Sequence, residues 1–164
     1  MFNLNLKDKV AIVTGAAGGG IGTNIAKLLL SEGAKVVING KSKEQIASII
    51  ESLPNKENAW GFAADIRNES EVREMVNQVV EKYNKVDILI NNAANGGESK
   101  KVYDVNQDEW EEEIQTTLFG SFICCKYVVP NMIKQRYGKI ILISSSAAYR
   151  GTWGRNVAYA SAKA

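Results

Sequence analysis

A glycine-dense turn, Thr14-Gly15-Ala16-Ala17-Gly18-Gly19-Gly20-Ile21-Gly22, sits between two very different stretches of chain. Before it comes a short apolar run, Val10-Ala11-Ile12-Val13. After it, Ile21, Ile25, Leu28 and Leu29 recur at spacings of three and four. The run reads as a buried strand and the stripe as one face of a helix, which Gly33 ends. A strand that is apolar on both faces needs a covering layer on each side, and that confines the chain to a parallel, helix-covered sheet.

The rest of the sequence repeats this alternation. Val36-Val37-Ile38 is a second strand. Ser42 and Gln45 form a capping box for a helix carrying Ile46, Ile49, Ile50 and Leu53, closed by Pro54. Trp60 to Ala64 is a weaker third strand running into Asp65. Asn68 with Glu71 caps a helix striped by Val72, Met75, Val76, Val79 and Val80. Val86 to Ile90 and Ile140 to Ile143 are the fourth and fifth strands. A long helix between them runs from about Gln107 to Lys134 and bends or ends near Pro130. Right-handed crossovers then give an α/β, doubly wound parallel sheet of Rossmann type, with residues 1–164 as one domain. The polar stretch from Asn95 to Asn106 follows a strand, on the side where such sheets bind ligands.

Composition narrows the function classes. A net charge of +2 with no basic cluster argues against nucleic acid or an anionic membrane as partner. No apolar run approaches a membrane span, and the first residues lack a signal-peptide pattern, so a cytoplasmic protein is expected. Histidine is absent, and the two cysteines, Cys124 and Cys125, are adjacent, so no metal site is expected. Those cysteines read as core packing beside Phe122 and Val128.

Tyr159 and Lys163, at i and i+4, share one face of a helix. An ammonium there favours the phenolate of its neighbour, which equips Tyr159 to give or take a proton. The glycine turn, opening a helix after a strand, suits a pyrophosphate: glycines admit the backbone and the helix N-terminus favours the negative charge.

In order along the chain stand Thr14-Gly15…Gly20-Ile21-Gly22, Asp65, Asn91-Asn92-Ala93-Ala94, Ser144-Ser145-Ser146 and Tyr159-Ala160-Ser161-Ala162-Lys163. The set resembles the short-chain dehydrogenases/reductases over the whole length. The resemblance implies hydride transfer between a nicotinamide cofactor and a carbonyl or alcohol carbon of a small molecule. Tyr159 would exchange the proton, Lys163 would hold the nicotinamide ribose, and a serine would hydrogen-bond the substrate oxygen. It also implies cofactor contacts from Thr14, Gly15, Gly20, Ile21, Gly22, Asn92, Asp65 (to the adenine amino group) and the Ile66 backbone. A homo-oligomer, dimer or tetramer, is the expected assembly.

The sequence departs from that family's pattern in four places. One extra residue lies between Gly15 and Gly20, and Ala94 stands where glycine is usual. Thr117 occupies the place of an asparagine that bends the long helix and positions a water leading from the lysine to solvent. The chain stops at Ala164, where the family continues into further helix and strand; by itself it is expected to be catalytically incompetent. Counting from Gly138 makes Ser145 the acting serine, and counting back from Tyr159 makes it Ser146. Ser145 is favoured, because a loop absorbs an extra residue more readily than a buried strand.

At the end of the second strand, Asn39-Gly40-Lys41 offers a cation where NAD binders carry an acid. NADP is therefore favoured over NAD, with Lys41 as a plain solvated charge the competing reading. Asp65 is equally a turn or helix cap. Tyr149 and Trp153 either line a substrate pocket or pack on chain beyond Ala164. The substrate would be a 3-oxoacyl thioester, steroid, sugar or small ketone. The rival function is a dinucleotide-binding protein without turnover.

Overall fold

The computed structural model describes residues 4–96, 99–150 and 157–164. The strands are β1 (Val10–Val13), β2 (Lys35–Gly40), β3 (Ala59–Ala63), β4 (Ile88–Asn91) and β5 (Lys139–Leu142). They form one parallel sheet in the order β3-β2-β1-β4-β5. The helices are α1 (Ile21–Ser31), α2 (Lys43–Ser52), α3 (Glu69–Tyr83), α4 (Gln107–Glu113), α5 (Gly120–Lys134) and α6 (Val157–Lys163). Each crossover carries a helix, as a Rossmann-like architecture demands. Among the described residues, no helix is long and apolar enough to cross a membrane.

Strand alternation divides the core into two layers. Val10 and Ile12 of β1, with Val37 and Leu89, pack against Val72, Met75, Val76 and Val79 of α3 and Ile123, Cys124 and Val128 of α5. Ala11 and Val13 face the other way, with Val36, Ile38 and Ile90, against Ala26 and Leu30 of α1 and Ile46 of α2. Each such fully buried aliphatic side chain contributes about 1.5–3 kcal/mol. β5 is an edge strand, and Ile140, Ile141 and Leu142 are exposed on it.

Several boundaries and faces differ from the sequence reading, each for a local reason. β4 begins at Ile88 rather than Val86 because the Asp87 carboxylate accepts the Val10 N–H at 2.8 Å, replacing a strand-to-strand bond with a side-chain one. α1 buries Gly22, Ala26 and Leu30, whereas Ile21 and Leu28 are 64% and 66% exposed. Small residues at that spacing let the helix lie close to the sheet, so the larger aliphatics turn outward. The Ser42–Gln45 box is one-sided: Ser42 Oγ accepts the Gln45 N–H at 3.2 Å and itself donates to Glu44. Phe122 is 56% exposed rather than buried with the cysteines.

The long helix does not end at Pro130, which lies inside α5. Its irregularity is a π-helical segment, Ile114–Phe119, that joins α4 to α5 and contains Thr117. Gly120 follows it because a Cβ there would come within 2.6 Å of Ile66 Cδ1.

Candidate active site

At the carboxyl end of the sheet lies a cleft of about 550 Å³. It opens where the winding reverses between β1 and β4, the position at which sheets of this kind bind ligands. Gly15, Gly20, Ile21, Gly22, Lys41, Asp65, Ile66, Asn92, Ser145, Tyr159 and Lys163 all line it. Thr14 sits just beneath, fully buried. Residues separated by most of the chain length are thus brought to one wall-to-wall site.

The glycine turn forms the floor. Gly15 and Gly19 have φ of +62° and +74°, a region L side chains rarely adopt. A Cβ on Gly22 would lie 2.4 Å from Asn92 Nδ2, so this glycine is required by packing. Around Gly18 and Gly20 an added Cβ would meet nothing within 4 Å, leaving the backbone open to the cleft. Thr23, a residue the sequence reading did not single out, ties the loop together. Its Oγ1 donates to the Ala16 carbonyl at 2.5 Å and accepts the Gly19 N–H at 3.0 Å. No side chain caps the N-terminus of α1, and its first turn holds no acid. Its first N–H groups and the positive end of the helix dipole are left for an anion.

Thr14 links this floor to the wall beyond β4. Its Oγ1 accepts the N–H groups of Asn92 and Ala93 at 3.0 and 3.1 Å and donates to the Ile90 carbonyl at 3.3 Å. Asn92 Nδ2 returns a bond to the Thr14 carbonyl at 2.9 Å. Ala94 is accommodated on the cleft wall.

At the β2 end, a Cβ on Gly40 would lie 2.7 Å from Ala17 Cβ, so no acidic side chain fits there without movement. Asn39, buried beside it, donates to the Ala64 carbonyl at 3.0 Å and fastens β2 to the end of β3. Lys41 is exposed on the cleft rim. The Asp65 carboxylate is gripped by Arg67, through Nε at 3.0 Å to each oxygen and Nη2 at 2.6 Å. Those hydrogen bonds from Arg67 hold Asp65 below the usual carboxylate range, and the charge of Lys41 adds to the effect. Asp65 is therefore both a cleft residue and one half of a surface ion pair.

On the opposite side, α6 presents Tyr159 and Lys163. Lys163 Nζ lies 5.8 Å from the Tyr159 ring centroid and donates to the Ile143 carbonyl at 2.5 Å. Burial pushes the Lys163 ammonium below its ordinary range, and the negative charge of Glu113 acts the other way. Of the serines, Ser144 and Ser145 line the cleft; Ser144 Oγ donates to the Lys163 carbonyl at 2.8 Å, and Ser145 Oγ accepts the Ala147 N–H at 3.2 Å. Ser146 is exposed and starts a short 3₁₀ turn leading away. Tyr149 is 86% exposed, off the cleft, and Trp153 lies outside the described residues. Thr117 reaches neither backbone nor lysine: its hydroxyl donates to the Glu113 carboxylate.

A cleft and residue order of this kind recur in known proteins. The family model described as short chain dehydrogenase matches residues 9–164. The 3-oxoacyl-(acyl-carrier-protein) reductase of Thermotoga maritima is 35% identical over 98% of this chain and 65% of its own length. The protein of the same name from Chlamydia pneumoniae is 37% identical over 99% of this chain and 65% of its own. A crystal structure of NAD⁺-bound xylitol dehydrogenase superposes with a TM-score of 0.91 at 31% identity, covering 96% of this chain and 60% of that one. The chain thus spans about 65% of the length of these curated relatives. By the match along nearly all of its residues and by its five-stranded parallel sheet, it belongs to the short-chain dehydrogenase/reductase family.

Proposed function

We propose that the whole protein carrying this domain is an NADP(H)-dependent oxidoreductase acting on a carbonyl or alcohol carbon of a small molecule. The observation that carries the reading is the single cleft shared by the glycine floor and by Ser145, Tyr159 and Lys163. The residues present fit a dinucleotide: the floor is open above Gly18 and Gly20, and α1 offers an uncapped N-terminus. When bound, the nicotinamide supplies or takes up the hydride. In reduction Tyr159 gives its phenolic proton to the substrate oxygen, and in oxidation it takes that proton back. Ser145 donates a hydrogen bond to the same oxygen as charge gathers there. Lys163 places an ammonium beside the Tyr159 ring and would hold the nicotinamide ribose. Asn92, Thr14 and the turn Gly15–Gly22 hold the floor in shape, with Asp65 and the Ile66 backbone at the adenine end.

Lys41 and the sterically enforced glycine at position 40 support a 2′-phosphate over a free 2′-hydroxyl. The relatives support a 3-oxoacyl substrate, with a sugar alcohol or small ketone the alternatives. Phe119 and Phe122, exposed and stacked at 5.9 Å, support assembly with a second copy, and the cysteine-poor, spanless sequence supports a cytoplasmic location.

The test is turnover by the whole protein with NADPH and NADH against a panel of 3-oxoacyl thioesters, ketones and sugars. Tyr159→Phe should lose about 10²–10⁴-fold in rate while binding cofactor normally. Lys41→Ala should weaken NADPH selectively. Binding without turnover on any substrate would leave a dinucleotide-binding protein, and tighter NADH binding unaffected by Lys41→Ala would reverse the cofactor assignment.

A further inference from the structure

α4 carries a run of acids, and all but one face solvent with ordinary occupations. Glu109 pairs with Lys100, Glu111 accepts from the Gln107 side chain, Glu112 pairs with Arg67 at 3.3 Å, and Asp108 is exposed. Glu113 alone turns inward and is 1% exposed. Its Oε1 takes the Thr117 hydroxyl, and its Oε2 has no hydrogen-bond partner among the described residues. A carboxylate in such a place carries a heavy desolvation cost unless a cation answers it.

The element packed against both α4 and the π segment is α6. The titratable groups it brings to this face are Tyr159 and Lys163; the π segment, Ile114–Phe119, carries none. Lys163 is itself half-buried, and its Nζ spends one donor on the Ile143 carbonyl. A buried carboxylate with one unpartnered oxygen and a half-buried ammonium thus lie on helices that pack together. Burial alone drives the ammonium toward its neutral form, and Glu113 is the group whose charge opposes that.

We propose that Glu113, aimed by Thr117, is a positioning residue that holds Lys163 in the cleft as a cation. Thr117 stands four residues after Glu113, the spacing that puts two side chains on one helix face, and its hydroxyl fixes one oxygen of the carboxylate. The dyad thereby supplies support for the lysine from the junction of α4 and the π segment. The proposal rests on the functional reading of Tyr159 and Lys163 given above, but it can be judged without it.

The decisive measurement is the titration of the Lys163 ammonium in the ¹⁵N-labelled whole protein by side-chain NMR, assigned with Lys163→Arg. In Glu113→Gln the midpoint should move to lower pH, because the opposing negative charge is gone; Glu113→Asp, which keeps the charge, should stay nearer the wild type. Glu113→Met buries no polar atom and repeats the measurement should the glutamine variant not fold. In turnover, Glu113→Gln should lose roughly tenfold in kcat/KM, with the alkaline limb of the pH profile moved to lower pH. An unchanged Lys163 midpoint in a folded Glu113→Gln or Glu113→Met variant overturns the proposal. Absence of turnover in the wild type, with the midpoint shift present, would overturn the enzymatic reading and leave the electrostatic pairing standing.

Discussion

Thr14 and Asn92 are clamped together across the cleft floor. The Asn92 N–H reaches Thr14 Oγ1 at 3.0 Å, and Asn92 Nδ2 reaches the Thr14 carbonyl at 2.9 Å. Because Thr14 Oγ1 also takes the Ala93 N–H, one hydroxyl of a fully buried residue satisfies two backbone donors. Thr14→Val keeps the shape and leaves both donors unpaired, so it should cost about 2 kcal/mol or more in urea unfolding. Thr14→Ser retains the oxygen and should cost well under half as much. Equal losses in the two variants would show that the methyl, not the hydroxyl, matters.

Glycine positions in the floor should fail in two different ways. At Gly22 an added methyl meets Asn92 Nδ2 at 2.4 Å, so Gly22→Ala should loosen the Asn92–Thr14 clamp and lower the melting temperature. At Gly18 there is open space, so Gly18→Ala should melt like the wild type while its methyl intrudes where a pyrophosphate would lie. Thermal melts with and without NADPH separate the two effects. A Gly18→Ala protein stabilised by NADPH as much as the wild type would remove the glycine floor from the binding site.

Where a feature depends on local pattern, the sequence shows it; where it depends on which residues meet across elements, it does not. The strands, the glycine turn and the i, i+4 pair Tyr159–Lys163 are local, and all fall close to where periodicity and spacing place them. The buried face of α1 is not local. Ile25 and Leu29 take part only at the edge of the core, while Gly22, Ala26 and Leu30 face the sheet, because how closely a helix approaches its sheet is set by the partner. Thr23 left only a faint signal, a β-branched hydroxyl in the first turn after a glycine run. Glu113 is indistinguishable in the sequence from its acidic neighbours on α4, since nothing in a run of acids tells which one another helix will cover. Thr117 departs from the family pattern, but nothing in the sequence shows that its hydroxyl turns to the Glu113 carboxylate one turn earlier.

The adjacent cysteines should differ sharply in reactivity. Burial, with a smaller contribution from Cys125, pushes the Cys124 thiol up to about 12. Cys125 is raised less far, again by burial, with a bond from Asn91 Nδ2 at 3.4 Å opposing it. Since the thiolate is the nucleophile, iodoacetamide near neutral pH should label Cys125 first and leave Cys124 almost untouched until the protein unfolds. Peptide mass spectrometry of partly labelled protein reads this directly. Preferential labelling of Cys124 in the folded protein would contradict its placement between α5 and the sheet.

The Asp65–Arg67 pair gives a prediction with a defined direction in pH. Hydrogen bonds from Arg67 lower the Asp65 pKa in the folded protein, so the folded state binds that proton less readily than the unfolded one. Its stabilisation is complete above the ordinary aspartate value, about 3.9, and is lost as pH falls through the lower folded value. Both side chains are partly exposed, at 25% for Asp65 and 35% for Arg67, so the gain is at most about 1 kcal/mol and shrinks with salt. Asp65→Asn should therefore be less stable than the wild type at neutral pH and draw level with it in acid. Urea midpoints for the two proteins, taken from neutral pH down through the aspartate range at low and high salt, test the sign. A gap that stays constant into strong acid would mean that the asparagine is disfavoured for its shape, and that the charge of Asp65 contributes nothing to holding the end of β3 against the cleft.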